Sequence, residues 1–262
     1  QLDEIEQALM NDEFSLYYQP KIDMVSGKVF GVEALIRWLH PEKGTILPLD
    51  FLPLVTDTDL EITIGNWVIE QTLSQLHVWQ QSGYDLQVSI NVSSLHLQSN
   101  NFSKTIAEYL ESHPSIKPQN IEFEVLENST LNNLNTISKA LTTCKEYLGV
   151  SFSLDDFGAG HSSLAHLRDL AVDSIKIDSD FINGILNDPS DYAIIDSVIS
   201  LANAFNKNLI AEGVETTEQG LVLINMGCRQ AQGNAIAPPM PAKDILSWLN
   251  NYSANEKWQH YG

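Results

Sequence analysis

Two adjacent carboxylates, Asp155 and Asp156, follow the short apolar segment 152–154 and precede Gly158 and Gly160. Neighbouring anions at a strand end repel each other and stay ionised only where a cation compensates them. The glycines allow the following loop to adopt positive φ angles and to bring its backbone close to a ligand. Taken alone, this pattern is more typical of a solvated Asp-Asp turn. A cation site is favoured because other strands in the sequence end in similar polar groups.

The segments that must position these carboxylates alternate between strand and helix, about every 20 to 35 residues. Apolar and period-two patterns predict strands at 14–20, 28–38, 86–92, 121–125, 152–154, 174–178, 208–213 and 231–237. Pro20 is expected to end the first strand or to keep it at a sheet edge. The 262 residues suit one TIM-type (β/α)8 barrel, which usually needs about 250. A doubly wound open sheet is the alternative, but the many polar strand ends favour a closed ring, where they converge on one mouth.

Polar side chains lie at or near the ends of most of these strands. They are Glu33, Arg37, Asn91, Glu124, Glu127, Asp155, Asp156, Lys176, Asp178, Glu212, Glu215 and Gln232. Many carboxylates at one mouth require positive charge, and a ligand set made of oxygen atoms indicates Mg²⁺ or Mn²⁺ rather than zinc. A pair of such ions bridged by one carboxylate is an arrangement used for in-line displacement at phosphorus.

Four of these residues have two interpretations each. Lys176 could place a fixed charge near an attacking water, or form a structural salt bridge inside the barrel. Arg37 could hold a phosphate, or form a surface ion pair. Glu127 and Glu215 lie past the regular strands, where a loop-bracing hydrogen bond is at least as well supported as metal binding.

The composition restricts the partners and the compartment. The net charge of −20 argues against binding to a DNA or RNA polymer and against contact with an anionic membrane surface. Cys144 and Cys228 make no disulfide framework, which favours a reducing cytoplasmic compartment. No segment is long and apolar enough to span a membrane, and no signal-peptide pattern opens the sequence. Residues 1–262 are predicted to form a single domain, and the abrupt start at Gln1 suggests a piece of a longer protein, which could carry a membrane anchor elsewhere.

The sequence Glu33-Ala34-Leu35-Ile36-Arg37-Trp38 resembles the signature of the EAL-domain family, the cyclic diguanylate (cyclic di-GMP) phosphodiesterases of bacteria. The resemblance extends over nearly the whole chain, from Tyr18-Gln19-Pro20 to Pro239-Met240-Pro241. Between these ends lie Asn91 in Ser-Ile-Asn-Val-Ser, Glu124 and Glu127, the Asp155-Asp156 loop, Lys176-Ile177-Asp178, the segment 211–216 and Gln232-Gly233. Each short motif alone is weak evidence, but the ordered set is specific.

The resemblance implies a barrel whose first strand runs antiparallel to the others. It implies hydrolysis of cyclic di-GMP to linear 5'-pGpG with two divalent cations, Mg²⁺ or Mn²⁺, bridged by Asp155. By position, the implied metal ligands are Glu33, Asn91, Glu124, Asp155, Asp156 and Glu212. The other implied roles are catalysis by Lys176 and Glu212, loop bracing by Glu127, and substrate binding or support by Gln19, Leu35, Arg37, Asp178, Glu215 and Gln232. A homodimer and an upstream sensor or cyclase domain are the implied partners besides cyclic di-GMP.

Some residues depart from the family pattern. Leu126 stands where a threonine is usual, His161 and Asn234 replace tyrosines, and Pro238 replaces a basic residue. They lie at the bracing loop and the substrate rim, and none is an implied metal ligand. The alternative function is a receptor that binds cyclic di-GMP without cleaving it. Such receptors usually lack some of the metal-binding acids, whereas this sequence has all of them, which favours the enzyme.

Overall fold

Eight strands form a closed barrel in the structure, a computed structural model that describes residues 1–99, 101–131, 134–158 and 164–260. The described residues form ten strands, and all except β3 and β10 belong to the barrel: β1 (Phe14–Asp23), β2 (Val29–His40), β3 (Gly44–Ile46), β4 (Gln87–Asn91), β5 (Ile121–Leu126), β6 (Ser151–Phe157), β7 (Ser174–Ile177), β8 (Asn208–Ala211), β9 (Gln230–Gln232) and β10 (Met240–Pro241). The ring closes because β1 pairs with both β2 and β9, while β3 and β10 add short antiparallel pairs to β2 and β1. The predicted barrel is confirmed.

The first strand runs against its neighbours, as the resemblance implies. Strand β1 is antiparallel to β2 and to β9, whereas the neighbouring pairs from β2 through β4 to β9 are parallel. The carboxyl ends of the parallel strands therefore share one mouth of the barrel with the amino end of β1.

Helices surround the ring and cover its outer face. They are α1 (Leu2–Met10), α2 (Pro48–Val55), α3 (Asp59–Gln81), α4 (Ser94–Leu97), α5 (Phe102–Ser112), α6 (Glu127–Leu131), α7 (Leu134–Leu148), α8 (Leu164–Asp169), α9 (Ser179–Gly184), α10 (Pro189–Ala204), α11 (Thr217–Met226), α12 (Ala242–Asn251) and α13 (Glu256–Gln259). A 3-10 turn spans Pro118–Asn120. Within the described part of the chain, no helix combines the length and the apolar character needed to cross a bilayer.

The apolar core lies between the strands and this helical layer. Helix α3 buries Leu73, Leu76 and Trp79, and Trp79 packs edge-on against Tyr18 of β1 with ring centres 4.8 Å apart. Burying each large apolar side chain contributes about 1.5–3 kcal/mol. This packing fixes the outward face of each strand, so the alternate residues must point into the barrel.

The interior of the barrel is unusually polar. Barrels of this type are commonly filled by branched aliphatic side chains. Here buried lysines, serines and carboxylates occupy inward positions on the strands, namely Lys21, Ser89, Glu122, Glu124, Ser153, Ser174 and Lys176. Because buried charges require partners, the polar interior must be organised as ion pairs and hydrogen bonds.

Pro20 does not end the first strand or confine it to an edge, and that expectation is wrong. Strand β1 continues to Asp23 and has neighbours on both sides. On the side away from β2, it pairs with β10 at Tyr17 and Tyr18 and with β9 from Lys21 onward. Pro20 lies in the gap between these two pairings, where no partner needs the amide hydrogen that proline lacks.

The last barrel strand is shorter than the predicted 231–237, since β9 spans only Gln230–Gln232. The chain turns at Gly233, whose φ of 154° favours glycine. A Cβ atom at this position would lie 2.3 Å from the backbone nitrogen and oxygen of Val214. Ala235 then donates a backbone hydrogen bond to the Val214 carbonyl at 2.9 Å, which holds the turn against the end of β8.

Candidate active site

Lys176 lies at the centre of a group of carboxylates at the barrel mouth. Its side chain is fully buried on β7, and the Nζ atom is 2.5 Å from Glu124 Oε2 and 2.7 Å from Glu212 Oε1. The same atom is 3.2 Å from Asp155 Oδ1 and 3.4 Å from Glu33 Oε2. The four acids come from β2, β5, β6 and the residue after β8, so closure of the ring brings together residues far apart in sequence.

Two side-chain amides orient Glu33. Asn91 Nδ2 donates to Glu33 Oε1 at 2.7 Å, and Gln232 Nε2 donates to Glu33 Oε2 at 2.7 Å. Gln232 Nε2 is also 2.9 Å from Gln19 Oε1, and Gln19 Nε2 donates to the Ala237 carbonyl at 3.0 Å. The predicted ligands Glu33 and Asn91 are therefore neighbours, and Gln19 and Gln232 support them from β1 and β9.

Asp155, Asp156 and Glu212 form a second group at metal-ligand spacing. One oxygen of each lies within 4.8 Å of the others. The Asp156 amide donates to Asp155 Oδ1 at 3.0 Å, and Asp156 has a φ of 54°. Aspartate tolerates this left-handed conformation better than most residues. The turn allows two consecutive residues, which would face opposite sides of a regular strand, to serve the same site.

The pKa values show that the cluster carries more acid than its lysine compensates. Burial raises the pKa of Glu124 to about 8, and the charge of Glu33 adds to this effect. Burial, with Asp155 and Asp178, raises the pKa of Asp156 to about 6. Burial also holds the pKa of Glu212 well above its ordinary value, despite the nearby Lys176.

Two groups in the cluster are held in their charged forms. Burial alone would lower the pKa of Lys176, but Asp155, Glu124, Glu212 and Glu33 together raise it well above its ordinary value. Burial would raise the pKa of Glu33, but Lys176 and the two amides lower it. The site thus combines a fixed ammonium with an excess of carboxylates whose charges oppose one another.

The residues present fit a hard divalent cation. Their donors are carboxylate and amide oxygens, which suit Mg²⁺ or Mn²⁺. Lys176 contacts only one oxygen of each of the four carboxylates, and the second oxygen of Glu33 accepts a hydrogen bond from Asn91. The second oxygen of Glu124, Oε1, is buried and has no hydrogen-bond partner among the described residues, since Lys21 Nζ, 3.9 Å away, is beyond hydrogen-bond distance. Such an oxygen is costly to bury in isolation and indicates a missing partner.

Glu127 occupies the position predicted for loop bracing. It is buried at the start of α6, and its Oε2 accepts a hydrogen bond from the Gly158 amide at 2.9 Å. This contact ties the end of β5 to the end of β6, just after Asp156. The predicted braced loop continues to Ser163, but residues 159–163, including His161, lie outside the described residues.

Arg37 lies at the mouth but outside the carboxylate cluster. Its Nη1 donates to the Ile36 carbonyl at 2.9 Å, and the guanidinium carbon is 5.6 Å from the centre of the Tyr17 ring. Arg37 belongs to none of the ion pairs among the described residues, which disfavours the surface ion-pair interpretation. Leu35 is half-buried on the same strand, opposite Tyr17.

Asp178 and Glu215 lie near the mouth in different roles. Asp178 caps α9 by accepting the Asp180 amide at 2.9 Å, and its charge helps to raise the pKa of Asp156. Glu215 is exposed beyond β8, and its backbone amide donates to Gln219 Oε1 at 2.8 Å. The structure therefore places Asp178 beside the acid cluster, whereas Glu215 belongs to the start of α11.

The remaining departures from the family pattern lie on the surface. Leu126 is 46% exposed at the end of β5, in register with Asp155 on β6. Asn234 and Pro238 are exposed in the segment after β9.

Sequence reasoning missed Lys21 and Glu122, a buried ion pair beneath the site. Lys21 Nζ is 2.9 Å from Glu122 Oε1, donates to Ser89 Oγ, and is 3.9 Å from Glu124 Oε1. Period-two alternation could have found both residues, because Lys21 shares a strand face with Gln19 and Glu122 shares one with Glu124.

Comparison with known proteins places the chain in a family. The EAL domain model matches residues 2–239. MucR of Pseudomonas aeruginosa, a bifunctional diguanylate cyclase/cyclic di-GMP phosphodiesterase, is 36% identical over 247 residues, which cover 94% of this chain and 36% of MucR. The cyclic di-GMP phosphodiesterase PA2567 of Pseudomonas aeruginosa is 33% identical over 249 residues, which cover 95% of this chain and 42% of PA2567.

The fold agrees with these relationships. The solved structure of the PaMucR phosphodiesterase in complex with c-di-GMP has a TM-score of 0.89 and 36% identity, with 93% of this chain and 98% of that chain covered. The chain spans well under half of the length of the two curated relatives. Because the family model covers nearly all of its residues, the chain belongs to the EAL domain family.

Proposed function

We propose that this chain hydrolyses cyclic di-GMP to linear 5'-pGpG, using two divalent cations, Mg²⁺ or Mn²⁺. One observation carries the proposal: carboxylates from separate strands converge on Lys176, with Asp155, Asp156 and Glu212 at metal-ligand spacing. Support also comes from MucR and PA2567, which are named cyclic di-GMP phosphodiesterases and align with almost the whole chain.

The net negative charge of the site supports the binding of two divalent ions. Five carboxylates surround the single ammonium of Lys176: it pairs with Glu33, Glu124, Asp155 and Glu212, and Asp156 lies beside Asp155 and Glu212. The buried pair of Lys21 and Glu122 is neutral by itself. When all six groups are ionised, their uncompensated charge equals that of two divalent cations, and such ions would offset the burial and the mutual repulsion that raise the acid pKa values.

We assign the proposed ligands to two ion positions that share Asp155. We assign Glu33, Asn91, Glu124 and Asp155 to one ion, and Asp155, Asp156 and Glu212 to the other, with Asp155 as the bridge. When bound, two such ions stabilise the negative charge of the phosphoryl and leaving oxygens and lower the pKa of a water.

The side chains supply positioning and proton transfer. Glu212 is the proposed base for the attacking water, because its carboxylate lies beside the Lys176 ammonium and at metal-ligand spacing from Asp155 and Asp156. The Lys176 ammonium, 2.7 Å from Glu212 Oε1, holds that carboxylate in place and adds positive charge beside the water. Arg37, Gln19 and Leu35 line the mouth near these groups and are proposed to contact the substrate.

The test is incubation of the chain with cyclic di-GMP and Mg²⁺ or Mn²⁺, followed by chromatography. We expect 5'-pGpG to accumulate with either ion and to disappear with EDTA. Tight binding of cyclic di-GMP without product, at high protein and saturating metal, would refute hydrolysis and establish the receptor alternative.

A further inference from the structure

Tyr17 is an aromatic residue at the barrel mouth that sequence reasoning gave no role. It lies on β1 two residues before Gln19 and four before Lys21, so all three share the inward face of the strand. Because β1 runs antiparallel to its neighbours, its amino-terminal part is nearest the mouth. Tyr17 is only partly buried there, whereas Tyr18, on the outer face, is buried in the core.

The Tyr17 ring is the aromatic partner of Arg37. The guanidinium carbon lies 5.6 Å from the ring centre, within the range of a cation–π contact. Tyr17 is directly opposite Leu35 in the β1–β2 ladder, while Arg37 is opposite Ser15. Tyr17 and Arg37 are thus diagonal neighbours on one face, close enough for long side chains to interact.

Few other contacts restrain the guanidinium. Its only hydrogen bond to the described residues is the one from Nη1 to the Ile36 carbonyl, 2.9 Å away. No carboxylate of the described residues lies within ion-pair distance of it. Within the described residues, the ring and one carbonyl orient the guanidinium and its other N–H groups donate no hydrogen bond. A planar guanidinium suits two phosphate oxygens at once.

We propose that Tyr17 is a positioning residue for substrate binding, and that its ring holds the Arg37 guanidinium toward a phosphate of cyclic di-GMP. Cyclic di-GMP binding is itself part of the proposed function, so this inference depends on it. Tyr17 acts through Arg37 and takes no part in the displacement at phosphorus. Loss of the ring should therefore weaken substrate binding and leave the chemical step intact.

Steady-state kinetics of Tyr17→Leu and Tyr17→Phe test this role. We expect Tyr17→Leu to raise KM by about five- to tenfold with kcat within about twofold of the wild type, since a partly exposed cation–π contact is lost. Tyr17→Phe keeps the ring and should retain the wild-type KM. A wild-type KM for Tyr17→Leu, or a fall in kcat without a change in KM, would overturn the proposal.

A double-mutant cycle separates positioning from direct contact. If Tyr17 acts through Arg37, Tyr17→Leu should have almost no further effect on KM in an Arg37→Gln background. Additive effects would show that the ring contacts the substrate independently and would overturn the positioning role. If Tyr17→Leu lowers the melting temperature, Tyr17→Met, which keeps side-chain volume without an aromatic face, replaces it in the cycle.

Equilibrium binding distinguishes this inference from the proposed function. Titration of cyclic di-GMP in EDTA measures Kd without turnover, and Kd should rise by the same factor as KM in Tyr17→Leu. If the wild type does not hydrolyse cyclic di-GMP but Tyr17→Leu still raises Kd, the proposed hydrolysis is refuted and the role of Tyr17 is supported. Unchanged Kd in Tyr17→Leu would overturn the role of Tyr17, whether or not hydrolysis occurs.

Discussion

Lys176 is the residue on which the carboxylates at the barrel mouth depend most. It is fully buried, and four carboxylate oxygens lie between 2.5 and 3.4 Å from its Nζ atom. A buried lysine in this environment stays charged because the acids around it outweigh the cost of burial. The sequence allowed Lys176 to be either a structural ion-pair partner or a fixed charge at the site. The two interpretations are compatible, because the same ion pairs stabilise the barrel interior and hold the ammonium at the site.

Removal of the Lys176 charge should destabilise the metal-free protein. We expect Lys176→Met to lose about 3–5 kcal/mol of unfolding free energy in EDTA, because it leaves buried carboxylates without their cation. Mn²⁺ should restore part of this loss by supplying positive charge. Urea unfolding with and without Mn²⁺ measures both effects. The control is Lys104→Met, a change at an exposed lysine, which should behave as the wild type. If Lys176→Met is as stable as the wild type in EDTA, this result would count against the electrostatic role of Lys176.

Asp155 should be indispensable for turnover. Asp155→Asn keeps the shape of the side chain but removes the charge that we assign to both ions, so we expect hydrolysis of cyclic di-GMP to fall by more than about a hundredfold. Circular dichroism should show an unchanged fold. Asp196→Asn, an exposed change on α10, is the matched control. Substantial residual hydrolysis by Asp155→Asn would be inconsistent with a bridging role.

At the scale of elements, strands were easier to predict than the contacts between them. Alternation of apolar residues located β4, β5 and β7 to within one or two residues, because each strand has one face buried against helices. The same alternation marked Glu33 and Asn91 as neighbours of the site. It failed for β1, where the effect of Pro20 depends on a gap between β9 and β10 that only the closed ring creates.

Local sequence also could not show how deep the polar interior extends. Period-two alternation can place Lys21 and Glu122 on inward strand faces, but their pairing across β1, β4 and β5 is a consequence of ring closure. The left-handed turn at Asp156 is similarly invisible in the sequence, because aspartate tolerates a positive φ but most aspartates do not adopt one. The residue types of the site were predictable, whereas their orientation required the tertiary structure.

The link between β5 and β6 should depend on Glu127. Glu127→Ala removes the acceptor of the Gly158 amide, and we expect a loss of about 1–3 kcal/mol of unfolding free energy. Turnover should also fall, because this contact follows Asp156 directly. Glu127→Gln retains an oxygen that can accept the same amide and should keep more stability and turnover than the alanine variant. Wild-type turnover and stability of the alanine variant would exclude a bracing role.

At the scale of the whole molecule, a chain with a net charge of −20 concentrates part of that charge in one buried site. Self-repulsion of this kind lowers stability unless cations or protons compensate it. The chain spans less than half of the length of the two curated relatives described above. The single domain, the homodimer and the upstream sensor or cyclase domain stay predictions, as does the cytoplasmic location.

The raised acid pKa values determine how metal-free stability should vary with pH. Asp156, with a pKa of about 6, and Glu124, with a pKa of about 8, bind protons in the folded state at pH values where the unfolded chain has released them. Glu212 acts in the same direction, and Glu33, whose pKa is lowered, opposes them. In EDTA, the contribution of these groups to the free energy of unfolding should therefore be greatest at about pH 4 to 5. It should fall as the pH rises to about 8.

Melting temperatures measured across this pH range, with and without Mn²⁺, provide the check. Mn²⁺ competes with protons for the same carboxylates, so its stabilising effect should increase with pH. Asp155→Asn should show a smaller metal effect at every pH. A melting temperature in EDTA that rises steadily from pH 5 to pH 8 would contradict the assigned pKa shifts.

The binding of divalent ions by the acid cluster can be measured most directly by calorimetric titration of the whole chain with Mn²⁺ at neutral pH. We expect two Mn²⁺ ions per chain, with the binding weakened in Asp155→Asn and unchanged in Asp196→Asn. The absence of Mn²⁺ binding by the wild type, or binding that Asp155→Asn leaves unaltered, would contradict a two-ion site at the mouth of this barrel.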